Sequence, residues 1–191
     1  TTATFSWRPR ITSSRLVRNL SFTSGVNYFA GGDGTIETRE QNAGFGVFFE
    51  NGSSINVGGN RTFDRLVEAF QIRSDISISE GDYGYDEVFV SYRADGSRAI
   101  AGNVRYTVGE FWNGRRNSFS GALDLKPDYH LNINLNYSNN RVRLAGGSFT
   151  TNLLGTRILY AISTKMFINA FVQFNTDSNQ LSTNIRFNVI H

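Results

Sequence analysis

The sequence predicts an all-β chain folded as an antiparallel up-and-down meander of about eleven strands, and three observations carry that expectation. Apolar residues recur with a period of two almost throughout, so successive side chains point to opposite faces of a sheet. Asn51-Gly52 and Asp95-Gly96 stand between alternating runs, and such dipeptides favour tight hairpins because both turn residues accept positive φ. Composition agrees: 19 Gly, 2 Pro and 14% aromatic residues favour strands and turns over helices.

The elements follow in chain order. Leu16, Leu20, Phe22, Val26 and Tyr28 share one parity, and Phe45, Val47 and Phe49 lead into Asn51-Gly52. Residues 53–72 read as one long, bulged strand, although Phe63, Leu66, Val67 and Phe70 also fit a turn or two of helix. Val88, Val90 and Tyr92 enter the Asp95-Gly96 turn, and Ile100, Val104, Tyr106 and Val108 leave it. Phe119, Leu123 and Leu125 stop at Pro127. Three further strands carry Ile158, Tyr160 and Ile162, then Ile168, Ala170, Val172 and Phe174, then Leu181, Ile185, Phe187 and Val189. Short turns near residues 12–15, 51–52, 95–96, 127–128 and 164–165 alternate with longer segments, "AGGDGT", "SEGDYGYDE", "GEFWNGRRN" and "NNRVRLAGGSFTTN". In a meander every second connection lies at the same end, so the short turns are expected at one end and long loops at the other, as in outer-membrane barrels.

The stretch "YHLNINLNYSNN" sharpens the choice between a membrane and a soluble sheet. Leu131, Ile133, Leu135 and Tyr137 alternate with His130, Asn132, Asn134 and Asn136, which makes one oily face and one polar, uncharged face. A transmembrane barrel uses that pattern with the oily face toward lipid and the polar face toward an enclosed lumen. On this reading Glu50, Glu87, Arg93, Arg105, Asp124, Asn132, Asn134, Asn136, Arg157, Gln173 and Arg186 face the lumen. Tyr129 and Tyr137 lie eight residues apart on one face. That is about 26 Å along a strand and roughly 20 Å along the membrane normal at a tilt of about 40°, which fits two aromatic girdles.

Charge and rare residues narrow the function classes. The net charge is +3 and the basic residues are dispersed, which argues against nucleic acid as a partner. All 19 basic residues except Lys126 and Lys165 are Arg, the side chain suited to enclosed polar networks. No run of 18 apolar residues exists, so no helical span is expected, and the absence of Cys removes disulfides and thiolate metal sites. The only histidines, His130 beside a turn and the terminal His191, form no hydrolase triad, and the chain is expected not to be an enzyme and to hold no cofactor or metal. Glu80, Asp82, Asp86 and Glu87 offer oxygens for Ca²⁺ but lack a recognised loop spacing. The glycines of "GGDGT" and "GFG" lack the strand, turn and helix context of a phosphate cradle, and Asn19, Asn51 and Asn60 start N-x-Ser/Thr triplets by coincidence.

Several phrases together, "NGSSINVGGNRTFDRLVEAFQI", "SEGDYGYDEVFVSYRADGS" and above all "FINAFVQFNTDSNQLSTNIRFNVIH", resemble one family. It is the outer-membrane β-barrel region of bacterial proteins that carry an amino-terminal domain similar to family-nine carbohydrate-binding modules. The resemblance implies that residues 1–191 are a single barrel region, a fragment without its flanking strands and amino-terminal module. It further implies a bacterial outer-membrane location, membrane lipid and the barrel-assembly machinery as partners, and a pore or anchor role linked to a glycan or small solute. The rival readings are a soluble all-β protein binding a ligand in an apolar interior, and an outer-membrane enzyme.

Overall fold

The computed structural model describes residues 1–31 and 34–190. Among these residues thirteen strands occur: β1 (Thr2–Trp7), β2 (Val17–Ala30), β3 (Ile36–Phe49), β4 (Ser54–Leu66), β5 (Phe70–Arg73), β6 (Ile76–Ile78), β7 (Gly81–Arg93), β8 (Ile100–Phe111), β9 (Gly114–Leu125), β10 (Leu131–Leu144), β11 (Gly147–Ser163), β12 (Met166–Asn175) and β13 (Gln180–Val189). Eleven of them form one antiparallel sheet in chain order, with β4 pairing directly to β7. The excluded strands β5 and β6 pair with each other as a separate hairpin.

This hairpin corrects the expected strand over residues 53–72. β4 ends at Leu66, residues 67–69 break the ladder, and Phe70 starts β5 in a different sheet. Ile76 and Ile78 of the hairpin form the one hydrophobic core cluster among the described residues, with Val142 and Leu144 of β10. Leu66, Ile72, Tyr83, Phe111, Trp112 and Phe149 pack around it. The apolar residues at 63–70 thus serve two sheets, and their mixed spacing reflects a change of partner.

The sheet is strongly curved. The hairpin cluster touches Leu66 of β4 and Phe149 of β11, and Arg73 forms an ion pair with Asp177 in the β12–β13 turn. β4 and β12 are six strand steps apart in the sheet order, about 29 Å on a flat sheet at ~4.8 Å per step. One short hairpin reaches both because the sheet curls around it, so the face it occupies is concave.

Alternation assigns the faces. Val142 and Leu144 are buried under the hairpin, whereas Arg141 and Arg143, which alternate with them, are exposed on the convex side. Followed through the ladders, this parity places a belt of apolar residues on the convex face, including Val57, Val90, Tyr106, Ile133, Ile158 and Phe187. Many are open to the surroundings; Val88 is 58% and Phe187 59% exposed. That arrangement rules against the soluble alternative, which needs the apolar face inside. Ladder partners Ile55, Tyr92, Val104, Gly121 and Tyr137 run from the lower margin of the belt in β4 to its upper margin in β10. A climb of about four to six residues over four steps corresponds to a strand tilt of roughly 35–45°, the inclination of a barrel wall.

The connections depart from the expected sorting by length. β8 and β9 are joined by Trp112 and Asn113 alone, with Trp112 at φ 52°, and β10 and β11 by Ala145 and Gly146. "GEFWNGRRN", "NNRVRLAGGSFTTN" and most of "SEGDYGYDE" belong to strands that run past the apolar belt. At the opposite end, the β1–β2 connection occupies residues 8–16 and is no tight turn. Asn51-Gly52 and Asp95-Gly96 do mark turns, but only Gly52 has positive φ among those four residues. Asn51 Oδ1 accepts from the Ser53 amide (2.9 Å) and Asp95 Oδ1 from the Ser97 amide (3.0 Å), so side-chain acceptors, in place of paired left-handed residues, organise both turns.

Candidate functional site: the concave polar face and its hairpin

Ten of the eleven residues expected to face a lumen share the hairpin-bearing face by register. Arg93, Asn103, Ala122, Asn136, Gly155 and Gln173 are ladder partners in one row. Asp124, Asn134 and Arg157 form another, and Asn132, Leu159, Asn169 and Arg186 a third. Arg105 and Glu87 lie on the same parity of β8 and β7. Glu50 is the exception: it follows the end of β3, lies in the β3–β4 turn, and donates its amide to the Leu16 carbonyl (2.9 Å). The turn at Asn51 stops the ladder one residue earlier than the alternation suggests.

The polar residues on this face are mutually organised. Asn134 donates to Asp124 (2.8 Å) and Asn136 to Asn134 (3.3 Å). Arg105 stacks on Phe89, 3.6 Å from guanidinium carbon to ring centroid, and Arg157 lies over Phe171 at 5.5 Å. Each stack fixes a flat cation against the wall while leaving its N–H groups free to meet a ligand.

Nearer the hairpin, Arg116 makes a two-pronged pair with Glu87, Nε at 2.8 Å and a terminal nitrogen at 2.6 Å. The Arg116 guanidinium also covers the Phe111 ring at 4.3 Å. Glu87 is only 7% exposed, so the pair is partly withdrawn from water. Beside it the Tyr85 hydroxyl donates to Asp64 (2.9 Å). Glu40, Asn42, Asn60, Asp64, Glu87 and Arg116 line a polar cavity of about 340 Å³ here. Sequence reasoning missed Arg116, Asp64 and Tyr85. For Arg116 the signal was the dipeptide Arg115-Arg116, which in a strand must put one cation on each face.

The hairpin lies close against this wall near Gly147. Gly147 has φ +153°, and a Cβ there would sit 3.1 Å from Ile76 Cδ1. The backbone shape favours glycine at this position, and any Cβ would press on Ile76. On the hairpin's other flank, Phe70 stacks with Trp112 at 6.2 Å between centroids, and Tyr83 meets Trp112 edge-on at 5.5 Å.

Other candidates resolve differently. Asp82 and Asp86 pair with Arg65 and Arg61 on the convex face, whereas Glu87 points to the concave face, so these carboxylates cannot converge on Ca²⁺. No metal-holding group of acidic or histidine residues occurs among the described residues. Tyr137 lies on the convex face and donates its hydroxyl to Asn152 (2.8 Å). Tyr129 precedes β10, 90% exposed and packed on His130 at 3.9 Å. His130 joins the turn to β11 through Nδ1 and the Ala161 carbonyl (2.6 Å). His191 and part of "GGDGT" lie outside the described residues.

No family model and no curated protein matches the chain. Solved outer-membrane barrels do. Outer-membrane expressed OmpT of Vibrio cholerae superposes with TM-score 0.61 at 12% identity, over 91% of this chain and 54% of that one. The in-vitro folded OmpT of the same organism, in its trimer form, gives 0.62 at 12% identity over 98% and 60%. The chain therefore spans 54–60% of the length of these OmpT chains, and the likeness establishes the fold: an antiparallel meander of the outer-membrane β-barrel type. The expectation that the chain is not an enzyme does not stand: it rested on the histidine count, carboxylates alone can serve as acid and base, and a fold shared with OmpT at 12% identity carries no exclusion of catalysis.

Proposed function

We propose that the chain is the wall of a bacterial outer-membrane pore whose interior is narrowed by the β5–β6 hairpin. The observation that carries this reading is the hairpin seated on the concave, polar face, opposite a continuous apolar belt. A membrane anchor needs the belt alone; it has no use for an element folded onto an inner wall of arranged guanidinium, carboxylate and amide groups. Arg93, Arg105, Asp124, Asn132, Asn134, Asn136, Arg157, Gln173 and Arg186 then line the lumen, and Glu87 with Arg116 stiffens it beside the hairpin. Tyr137 marks one membrane interface.

The cargo class we assign is small polar solutes, saccharides included, because the polar cavity offers carboxylates, amides and aromatic faces together. Membrane lipid surrounds the belt, and insertion requires the barrel-assembly machinery. The test is single-channel conductance of the full-length protein in planar bilayers, beside a variant in which residues 67–80 are replaced by a short Gly-Ser turn. Discrete conductance that increases in the variant is expected. Equal conductance in both removes the hairpin's role, and none in either favours an anchor.

A further inference from the structure

Above the apolar belt, the convex face is charged, and its two halves differ. On β4 and β7, Arg61 and Arg65 are each held by two hydrogen bonds to Asp86 and Asp82. On β9 and β10, Arg115 stands directly across the ladder from Arg143, and Arg141 across from Asn117. All three arginines are exposed, and none belongs to an ion pair found among the described residues. Glu110 of β8 is the one carboxylate in register, opposite Arg115, which leaves the patch with an excess of two positive charges. Like charges directly opposite each other destabilise a strand pair unless something bridges them.

Their height suggests what does. Phe119 and Tyr137 close the apolar belt on these strands, and Arg115 and Arg141 follow four residues beyond on the same parity. At ~3.3 Å per residue and a tilt near 40° this is about 10 Å along the normal, and the headgroup layer adds roughly 5–8 Å per side to the hydrocarbon core. Flexible arginine stems lean back over the remaining distance and keep their charged ends at the polar layer. We infer that Arg115, Arg141 and Arg143 form a binding site for the phosphate headgroup of an anionic lipid, with the acyl chains lying on the belt below, along Phe119 and Tyr137. Guanidinium forks fit phosphate oxygens in pairs, and a phosphomonoester carries the charge to satisfy the unmatched arginines. Continuity with the apolar belt selects a lipid over a free anion. The inference rests on the membrane-barrel reading but not on conductance.

The test is native mass spectrometry of the full-length protein released from micelles containing dioleoyl phosphatidic acid or dioleoyl phosphatidylcholine. The wild-type protein is expected to retain phosphatidic acid about tenfold more than phosphatidylcholine, and the triple variant Arg115→Gln/Arg141→Gln/Arg143→Gln to lose that preference. The triple Arg→Lys variant should keep most of it, which separates lost charge from lost folding, and Arg98→Gln at the opposite end of the barrel should keep all of it. Equal retention by wild type and the Gln variant overturns the site. Displacement of the lipid by millimolar inorganic phosphate overturns the lipid assignment. If the Gln variant loses the lipid but conducts as wild type does, the site stands apart from the pore; if no variant conducts yet the preference holds, the pore reading alone fails.

Discussion

Truncating Ile78 to Ala tests whether hydrophobic docking holds the hairpin inside the barrel. Ile78 is 0% exposed and belongs to a cluster with only three other buried members, Ile76, Val142 and Leu144. Removing a fully buried Ile side chain costs about 2–5 kcal/mol, through lost transfer energy and the void left behind. Beyond this cluster the hairpin is held by Ile72, by the Phe70–Trp112 stack and by Arg73 over the Phe149 ring. Its strands have four and three residues and are marginal alone. The Arg73–Asp177 pair, with side chains 28% and 34% exposed, adds up to about 1 kcal/mol. A loss near 3 kcal/mol shifts the ratio of docked to free hairpin by roughly two orders of magnitude, which raises the undocked fraction while the wall stays intact. Trp112 reports the event, because it contacts Phe70 of the hairpin and Trp7 can be replaced by Phe to leave one fluorophore. In Ile78→Ala the Trp112 emission should shift to longer wavelength, residues 67–80 should become protease-sensitive, and conductance should rise. Unchanged emission together with continued protection would refute the docking argument; Arg73→Ala should have the smaller effect.

Three further outcomes follow from the two faces and the turns. Ile133→Arg should cost about 2–4 kcal/mol in urea unfolding from vesicles, the penalty for a cation facing lipid near the midplane, whereas Asn134→Arg, between Asp124 and Arg157 in register, should cost under about 1 kcal/mol; a water-soluble thiol reagent that labels a Cys at 133 in intact membranes would contradict the assignment of faces. Glu87→Gln leaves the half-buried Arg116 without its carboxylate and should cost about 2–3 kcal/mol, part of which Glu87→Gln/Arg116→Met should recover; a neutral single variant would show the pair to be fully solvated. At the β7–β8 turn, the Ser97 amide and then the Ser97 hydroxyl hold the Asp95 carboxyl below the usual carboxylate range. Because the folded pKa is depressed, the turn's stabilisation is complete above the unfolded value of about 3.9 and is lost as pH falls through the lower folded one. The Ser97 amide resonance should titrate below that value, and a midpoint at or above it would exclude the hydrogen bond.

Alternation alone determined much of this protein. Leu131, Ile133, Leu135 and Tyr137 against Asn132, Asn134 and Asn136 were legible as two faces because strand side chains alternate whatever the partner, and by register Arg93, Arg105, Asp124, Arg157, Gln173 and Arg186 share one face of the sheet. The resemblance to barrels with a carbohydrate-binding-like module has no matching family model behind it, while the barrel fold it implied stands on geometry. What period two cannot encode is which strand a segment pairs with. Residues 63–78 look locally like more wall, and only the curvature of the sheet, which brings β10 and β11 over to meet Ile76 and Ile78, makes a separate inner hairpin the better burial. Turn chemistry was equally nonlocal. "GEFWNGRRN" and "NNRVRLAGGSFTTN" read as loops by composition, yet their ladder partners extend the strands through them, since each added pair satisfies backbone groups that a loop would leave to water. The carboxylates of "SEGDYGYDE" were close in sequence, but a strand sends Asp86 outward to Arg61 and Glu87 inward to Arg116. Local pattern fixes the direction in which a side chain points, and tertiary structure decides what it meets there, because the partner comes from a strand whose position depends on the closure of the whole sheet.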